Sequence, residues 1–386
     1  MLCYRRVAFV VMLSLLAAAA FSCKNPQQNA NQGGVRAGHW IAQYRSPSSA
    51  RFAGTNLATF SYSSISVVSP TVVFVVGDMP DPKNLDERVA VVLRTTDGGT
   101  TWTERTIEQP NIRIPTLNSV SFANPNTGWA VGADSARLPI MLKTTDGGAS
   151  WMFSRLDSQQ VPTSVFFVDA DTGWIAGATP MPGEPDTDGG PSDILATTDG
   201  GTTWRRQRHV PVTINDIFFL NRNEGWAGGY RGSIYHTTDG GRSWDSQRNE
   251  LEPGDGIPNL AGEGAKGFMI SGIHFVDREH GFASASDQEL DQGRVLGSDD
   301  GGSVWSRRWI AGDSGVRDVF FATPTLGWAV TDYGHYIYHT ADGGRNWVAE
   351  QVKFDQDVPF FKIAAADASH VWVVGGGAVF FRTSGS

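Results

Sequence analysis

Few residues in this 386-residue chain have the type and spacing that chemistry needs. Six aspartates recur in one setting, Thr/Ser-x-Asp-Gly-Gly-x-x-Trp: Asp97, Asp146, Asp199, Asp239, Asp300 and Asp342. Carboxylates can serve as acids, bases or metal ligands, but each of these precedes a Gly-Gly pair. There the carboxylate is expected to accept backbone N–H groups of a tight turn. His335 and His339 are four apart, which on a strand separates them by roughly 13 Å, too far to share a metal. His236 and His339 hold the repeat position that Arg94, Lys143 and Arg382 hold elsewhere, a preference for a basic side chain rather than a ligand set. Asp186-Thr187-Asp188-Gly189 opens like a calcium loop, but the twelfth position is Thr197 where a bidentate Glu is required. Tyr333 and Tyr336 lack a placeable Glu partner. The chain has no His-Glu-x-x-His, no Gly-x-Ser-x-Gly and no Gly-x-x-x-x-Gly-Lys-Ser/Thr. No cofactor or metal is implied.

The elements that position these residues are repeats. The octets end in Trp102, Trp151, Trp204, Trp244, Trp305 and Trp347, and successive aspartates are 49, 53, 40, 61 and 42 apart. Upstream of the octets lies a Gly-Trp element, as in Gly128-Trp129-Ala130-Val131-Gly132 and Gly173-Trp174-Ile175-Ala176-Gly177. Before that lies an apolar strand such as Val165-Phe166-Phe167. A four-strand unit with a period of 40 to 50 residues is the pattern of a β-propeller blade. Six octets make six blades. Strands near 360–363, 371–374 and 379–381 begin a seventh that runs out of chain. The N-terminal segment, about 38–44, supplies its missing fourth strand and closes the ring, which removes the open sheet edges. In this reading Trp40 takes the seventh octet Trp position, and Trp309 alone has no place in the pattern.

Composition agrees. The chain has 45 Gly, 13 Trp and 21 Phe, with 18% charged and 40% hydrophobic residues. This much apolar material can bury a core, which excludes disorder. The two cysteines, Cys3 and Cys23, exclude a disulfide scaffold. The net charge of −9 argues against nucleic acid as a partner.

The first 22 residues carry Arg5 and Arg6 and then an apolar run, the pattern of an export signal. They end in Ala20-Phe21-Ser22-Cys23, which resembles a bacterial lipoprotein signal and implies lipidation of Cys23. Residues 23–37 are polar and read as a flexible tether. Residues 38–386 are then one propeller, exported and held on the periplasmic, luminal or extracellular side of a membrane.

The octet resembles the Asp box, or bacterial neuraminidase repeat. The full unit looks most like the photosystem II stability/assembly factor family. That resemblance implies a seven-bladed propeller acting as a non-enzymatic, monomeric scaffold for a membrane protein or complex, with photosystem II subunits as partners in a phototrophic host. The alternative is a sialidase-like or other Asp-box glycoside hydrolase, or a carbohydrate-binding propeller. Ile112-Arg113-Ile114-Pro115 resembles the sialidase Arg-Ile-Pro signature, but it follows an octet instead of preceding the first one.

Blade topology sorts the loops onto faces. The 1–2 and 3–4 turns, octets included, belong to one face, and the 2–3 loops and 4–1 links to the other. Four insertions, residues 78–88, 179–193, 249–270 and 286–294, all fall on the second face, and their charges total −11. They include Asp186, Asp188, Glu252 and Asp255 as candidate partner-binding residues, since loops elaborated on a rigid scaffold commonly bind. A second candidate surface is the outer rim, where fourth strands carry Arg205, Arg206, Arg208, Arg307 and Arg308.

Overall fold

The computed structural model describes residues 38–46, 60–179, 190–247, 268–287, 292–311, 314–332, 336–352 and 359–383. They form seven four-stranded antiparallel sheets. We number the blades by their first strands: Ser61–Val67, Thr116–Phe122, Val161–Phe167, Ile214–Phe219, Phe268–Phe275, Val316–Phe321 and Phe360–Asp367. These first strands touch one another in succession around the ring, the last against the first, so they line the central axis. Blade 7 is completed by the N-terminal strand His39–Arg45, which pairs antiparallel with the C-terminal strand Ala378–Thr383. The fold is the seven-bladed, all-β propeller read from the repeats, closed by the N-terminal strand.

The Gly-Trp element has a packing reason for each of its residues. A Cβ on Gly128 would sit 2.4 Å from the ring of Phe122, so that glycine makes room for the last aromatic residue of the first strand. Gly132 faces a bulge in the first strand between Leu117 and Ser119. A Cβ there would meet the Thr116 carbonyl oxygen at 2.5 Å. The Trp between them crosses to the next blade. Trp129 stacks on Phe167 at 3.5 Å, Trp174 on Phe219 at 3.4 Å and Trp226 on Phe275 at 3.5 Å. Each of those phenylalanines meets its own blade's octet Trp edge-on, as Phe167 meets Trp204 and Phe219 meets Trp244. Face stacking and edge contact together suit the ring quadrupoles.

First strands are also pinned to one another by hydrogen bonds. At one register position Ser64, Ser119 and Ser164 accept the backbone N–H of Val120, Val165 and Ile217 of the following blade. Each otherwise unpaired inner-edge donor is thus satisfied by a neighbour.

Two expectations need correction. In blade 7 Trp372 pairs with Phe381, as Trp129 pairs with Lys143 and Trp226 with His236, so Arg382 stands one residue beyond the recurrent basic position. Ile41 pairs with Phe381 as Thr103, which follows Trp102, pairs with Arg94, so Trp40 holds the seventh octet Trp position and points into the blade 6–7 core. In addition, the insertion at 78–88 is a hairpin extension, with strands Val73–Asp81 and Asn84–Thr95 paired out to Asp81 and Asn84. Its Asp78 is buried and ion-paired to Arg88, so that charge does not face solvent.

Candidate protein-binding surfaces

The octets are self-contained turns. In the first, Asp97 Oδ1 accepts the Thr95 hydroxyl at 2.8 Å and the Thr101 N–H at 2.9 Å, while Oδ2 accepts the Thr101 hydroxyl at 2.6 Å. Thr95 Oγ1 in turn accepts the Gly99 N–H at 2.9 Å. Gly98 and Gly99 hold φ of 71° and 86°, left-handed values that admit glycine. The Asp-to-Thr/Ser contact recurs at Asp146, Asp199, Asp239 and Asp300 and ends the series at Asp342. These bonds hold Asp97, Asp146, Asp199 and Asp239 at about 2, so they stay ionised and committed to the turn.

The recurrent basic position just before the octet caps an aromatic ring in blades 1, 2 and 4. Arg94 lies over Phe74 at 5.9 Å, Lys143 over Trp129 at 5.4 Å, and His236 stacks on Trp226 at 4.7 Å. Arg382, one residue beyond this position in blade 7, departs from the pattern and lies over Trp328 of blade 6.

That departure belongs to a clasp around the N-terminal strand. The Glu350 side chain, on the fourth strand of blade 6, is fully buried. It accepts the Gly38 N–H at 2.7 Å, the Trp40 indole N–H at 2.8 Å and both Arg382 donors at 3.0 and 2.8 Å. His339 Nδ1 lies 3.1 Å from the same carboxylate. Burial pushes the Glu350 carboxyl up, but bonds from His339 and Arg382 and their charges outweigh it and hold it at about 2. On the strand's other side, Glu104 of blade 1 accepts hydroxyls from Tyr44, Ser46 and Tyr62 at 2.9, 2.9 and 3.3 Å.

This second cluster is the one Tyr–Glu arrangement of note among the described residues, and sequence spacing offered no sign of it. A tyrosine nucleophile activated by glutamate needs access to substrate. Tyr62 is fully buried, and burial followed by the Glu104 charge raises the Tyr44 and Tyr62 phenols, the wrong direction for a nucleophile.

A third charged group lies at the axis. Lys362 of blade 7 donates to Asp216 of blade 4 at 3.1 Å and to Asp318 of blade 6 at 3.4 Å. Asp318 also accepts the Ile363 N–H at 3.0 Å, and Asp216 accepts the Ile273 N–H at 3.2 Å, replacing the serines of the other blades. Gly272 of blade 5 leaves the gap they use, since a Cβ there would meet Asp318 Oδ1 at 2.2 Å. Burial, only partly countered by Lys362, raises the Asp318 carboxyl to about 6.

The proposed binding residues fall into three groups. Arg205 and Arg206 are exposed on the fourth strand of blade 3, with Arg206 3.7 Å from Asp193. Arg208 is half-buried, donates to the Trp244 carbonyl at 2.6 Å and lies over Tyr235. Arg308 is packed against its own sheet and paired to Asp299 at 2.5 Å, and Arg307 beside it is half-buried. Arg208 and Arg308 thus tie neighbouring elements together, which leaves Arg205 and Arg206 as the outward pair in blade 3. Cys23, Asp186, Asp188, Glu252, Asp255, Tyr333 and His335 lie outside the described residues.

Acidity is not confined to the insertion face. The 1–2 turns and octets on the opposite face carry twelve carboxylates, among them Asp169, Asp171, Asp277 and Glu279, against four arginines. Both faces are acidic, and the compensating cations are on the rim and within the blades.

Comparison with known proteins gives the same picture. The family model described as photosynthesis system II assembly factor YCF48 matches residues 84–173 and 153–266. A structure titled YCF48 bound to D1 peptide is 20% identical over 90% of this chain and 97% of its own, with a TM-score of 0.61. YCF48 from Cyanidioschyzon merolae is 18% identical over 89% and 99%, with a TM-score of 0.60. A GH74 xyloglucanase from Xanthomonas campestris is 11% identical over 82% of this chain and 51% of its own, with a TM-score of 0.56; that likeness shows the fold alone. No curated protein is significantly similar in sequence. The matched repeats span residues 84–266, and over them this chain is similar to the family described as photosynthesis system II assembly factor YCF48.

Proposed function

We propose that this protein is a non-enzymatic, lipid-anchored scaffold that binds a membrane protein, with photosystem II subunits as clients in a phototrophic host and an envelope complex otherwise. The observation that carries the reading is the family match over the repeats. A YCF48 structure titled as holding a D1 peptide supports a protein client for this chain also. The interior agrees with it: the octet carboxylates, Glu350, Glu104 and the axial aspartates are each engaged in holding the ring. The exposed Arg205 and Arg206 offer charge for an acidic segment, and such rim charges act mainly on encounter rate and partner choice.

The test is direct binding. Fluorescent D1 peptides titrated with the protein should give saturable binding that weakens at least about tenfold in an Arg205→Glu/Arg206→Glu variant, since like-charge juxtaposition costs several kcal/mol. Saturable binding unchanged by that variant would move the client off this rim. Turnover of sialosides or xyloglucan by the wild-type chain would sink the scaffold reading altogether.

A further inference from the structure

One edge of the ring leaves apolar side chains in solvent outside the repeat pattern. Trp309, on the fourth strand Ser306–Ala311 of blade 5, pairs with Val295 where Arg208 of blade 3 pairs with Ile194. Its ring lies 5.1 Å from Trp347 and 4.7 Å from Tyr338 of blade 6, and all three are half-exposed. Val304 in the blade 5 octet is 45% exposed, Val348 beside Trp347 is 45% exposed, and Ile41 on the N-terminal strand is 47% exposed. Three of the six large exposed hydrophobics among the described residues therefore lie on the outer edge of blades 5 to 7.

The chain enters the fold at this same place. Fourth strands run from the octet face toward the insertion face, so the N-terminal strand begins on the octet side. Gly38 is bonded there to Glu350, three residues beyond Trp347. Between Gly38 and Cys23 lie fourteen residues of polar, Gly- and Asn-containing sequence. Read as the tether of the sequence analysis, those residues give Cys23 a reach of about 20 Å from Gly38. An acyl chain on Cys23 would hold this edge, more than any other, within reach of the bilayer. Trp and Tyr rings with one apolar and one wet side are suited to the headgroup layer. The turn joining the first two strands of blade 6, residues 322–326, has no charge to oppose such contact.

We infer that the outer edge of blades 5 to 7, built on Trp309, Tyr338, Trp347, Val348 and Ile41, rests in the headgroup layer of the membrane that anchors Cys23. The inference rests on the lipid-anchor reading above. It orients the molecule: the face of the 2–3 connections stands farther from the bilayer than the octet turns of these blades.

The test uses the mature lipidated protein in phosphatidylcholine/phosphatidylglycerol vesicles. Single cysteines are introduced by Val348→Cys, Ile41→Cys and Leu138→Cys and labelled with an environment-sensitive fluorophore. Leu138 is the control, 48% exposed on the insertion face of blade 2. A lipidated Cys23 has no free thiol to compete. Labels at 348 and 41 should be quenched several-fold more strongly by nitroxide-bearing lipid than the label at 138, and should shift to the blue. Equal quenching at all three sites, or stronger quenching at 138, overturns the assigned edge while leaving the anchor intact. Mass spectrometry of the N-terminal peptide separates the two readings: an unmodified Cys23 overturns the anchor and the edge together.

Discussion

The junctions between blades 2 and 6 and the junctions flanking the N-terminal strand solve one problem with different forces. In the former, a Trp of one blade, or Phe282 in blade 5, lies flat on a Phe of the next, and that Phe meets an octet Trp edge-on. In the latter those phenylalanines are absent, since the equivalent positions are Ala365 in blade 7 and Val67 in blade 1. Carboxylates replace them: Glu350 gathers Gly38, Trp40 and Arg382, and Glu104 gathers Tyr44, Ser46 and Tyr62. Trp372, which would stack on a Phe, donates its indole N–H to Gln43 of the N-terminal strand at 3.0 Å. Stacked rings are nondirectional enough to repeat along a continuous chain. A strand arriving from the other end of the sequence must be registered, and hydrogen bonds to a buried charge specify register where apolar contact alone does so weakly.

The largest effect is expected where the charged clasp is broken. Glu350→Ala leaves Arg382, the Trp40 indole and the Gly38 N–H buried without their acceptor, a loss of about 3–5 kcal/mol for an uncompensated buried pair. Denaturant midpoints should report it, and hydrogen exchange should show His39–Arg45 and Ala378–Thr383 opening before blades 2 to 5. Uniform loss of protection would mean that closure and repeat junctions form one cooperative unit.

A repeat junction is expected to give less. Phe219→Leu removes one stacked and one edge-on aromatic pair, about 1–3 kcal/mol at about 0.5–1.5 each. Its effect should stay with blades 3 and 4 and leave exchange at the N-terminal strand unchanged.

Acid should act on the clasp and the axis in opposite senses. Glu350 is held at about 2 against an ordinary 4.5, so its contribution is complete above 4.5 and is lost as pH falls from there toward 2. Asp318 is raised to about 6 from 3.8, so the native state gains relative to the unfolded chain as that group takes a proton, and its contribution declines as pH rises from 3.8 through 6. Stability of Asp318→Asn measured against pH should lack the decline between about 4 and 6 while keeping the acid loss. A decline persisting in that variant would assign it to another group.

Much of the fold was legible because a blade is a local pattern. The octets, the Gly-Trp element and the missing fourth strand of blade 7 can all be counted along the chain, and the ring follows by closure. Where the repeat loses its marker, the reading slipped by one residue: Arg382 was placed by residue type, and only the pairing of Trp372 with Phe381 reveals that Phe381 holds the basic position. Within the rim arginines, sequence groups Arg205, Arg206 and Arg208 together. The alternation of a strand and a bulge between Ile194 and Leu195 turns Arg208 inward to Tyr235 and the Trp244 carbonyl.

The sequence by itself determined the blade count, the turn chemistry of the six octets and the role of the N-terminal strand, because each depends on residues within a few positions of one another. Only the tertiary structure decided what holds the ring shut. Gly38 and Glu350 are 312 positions apart, and Asp216 and Lys362 are 146 apart. No local pattern joins such residues; the circular arrangement of blades brings each pair together, and burial makes their hydrogen bonds and charges count.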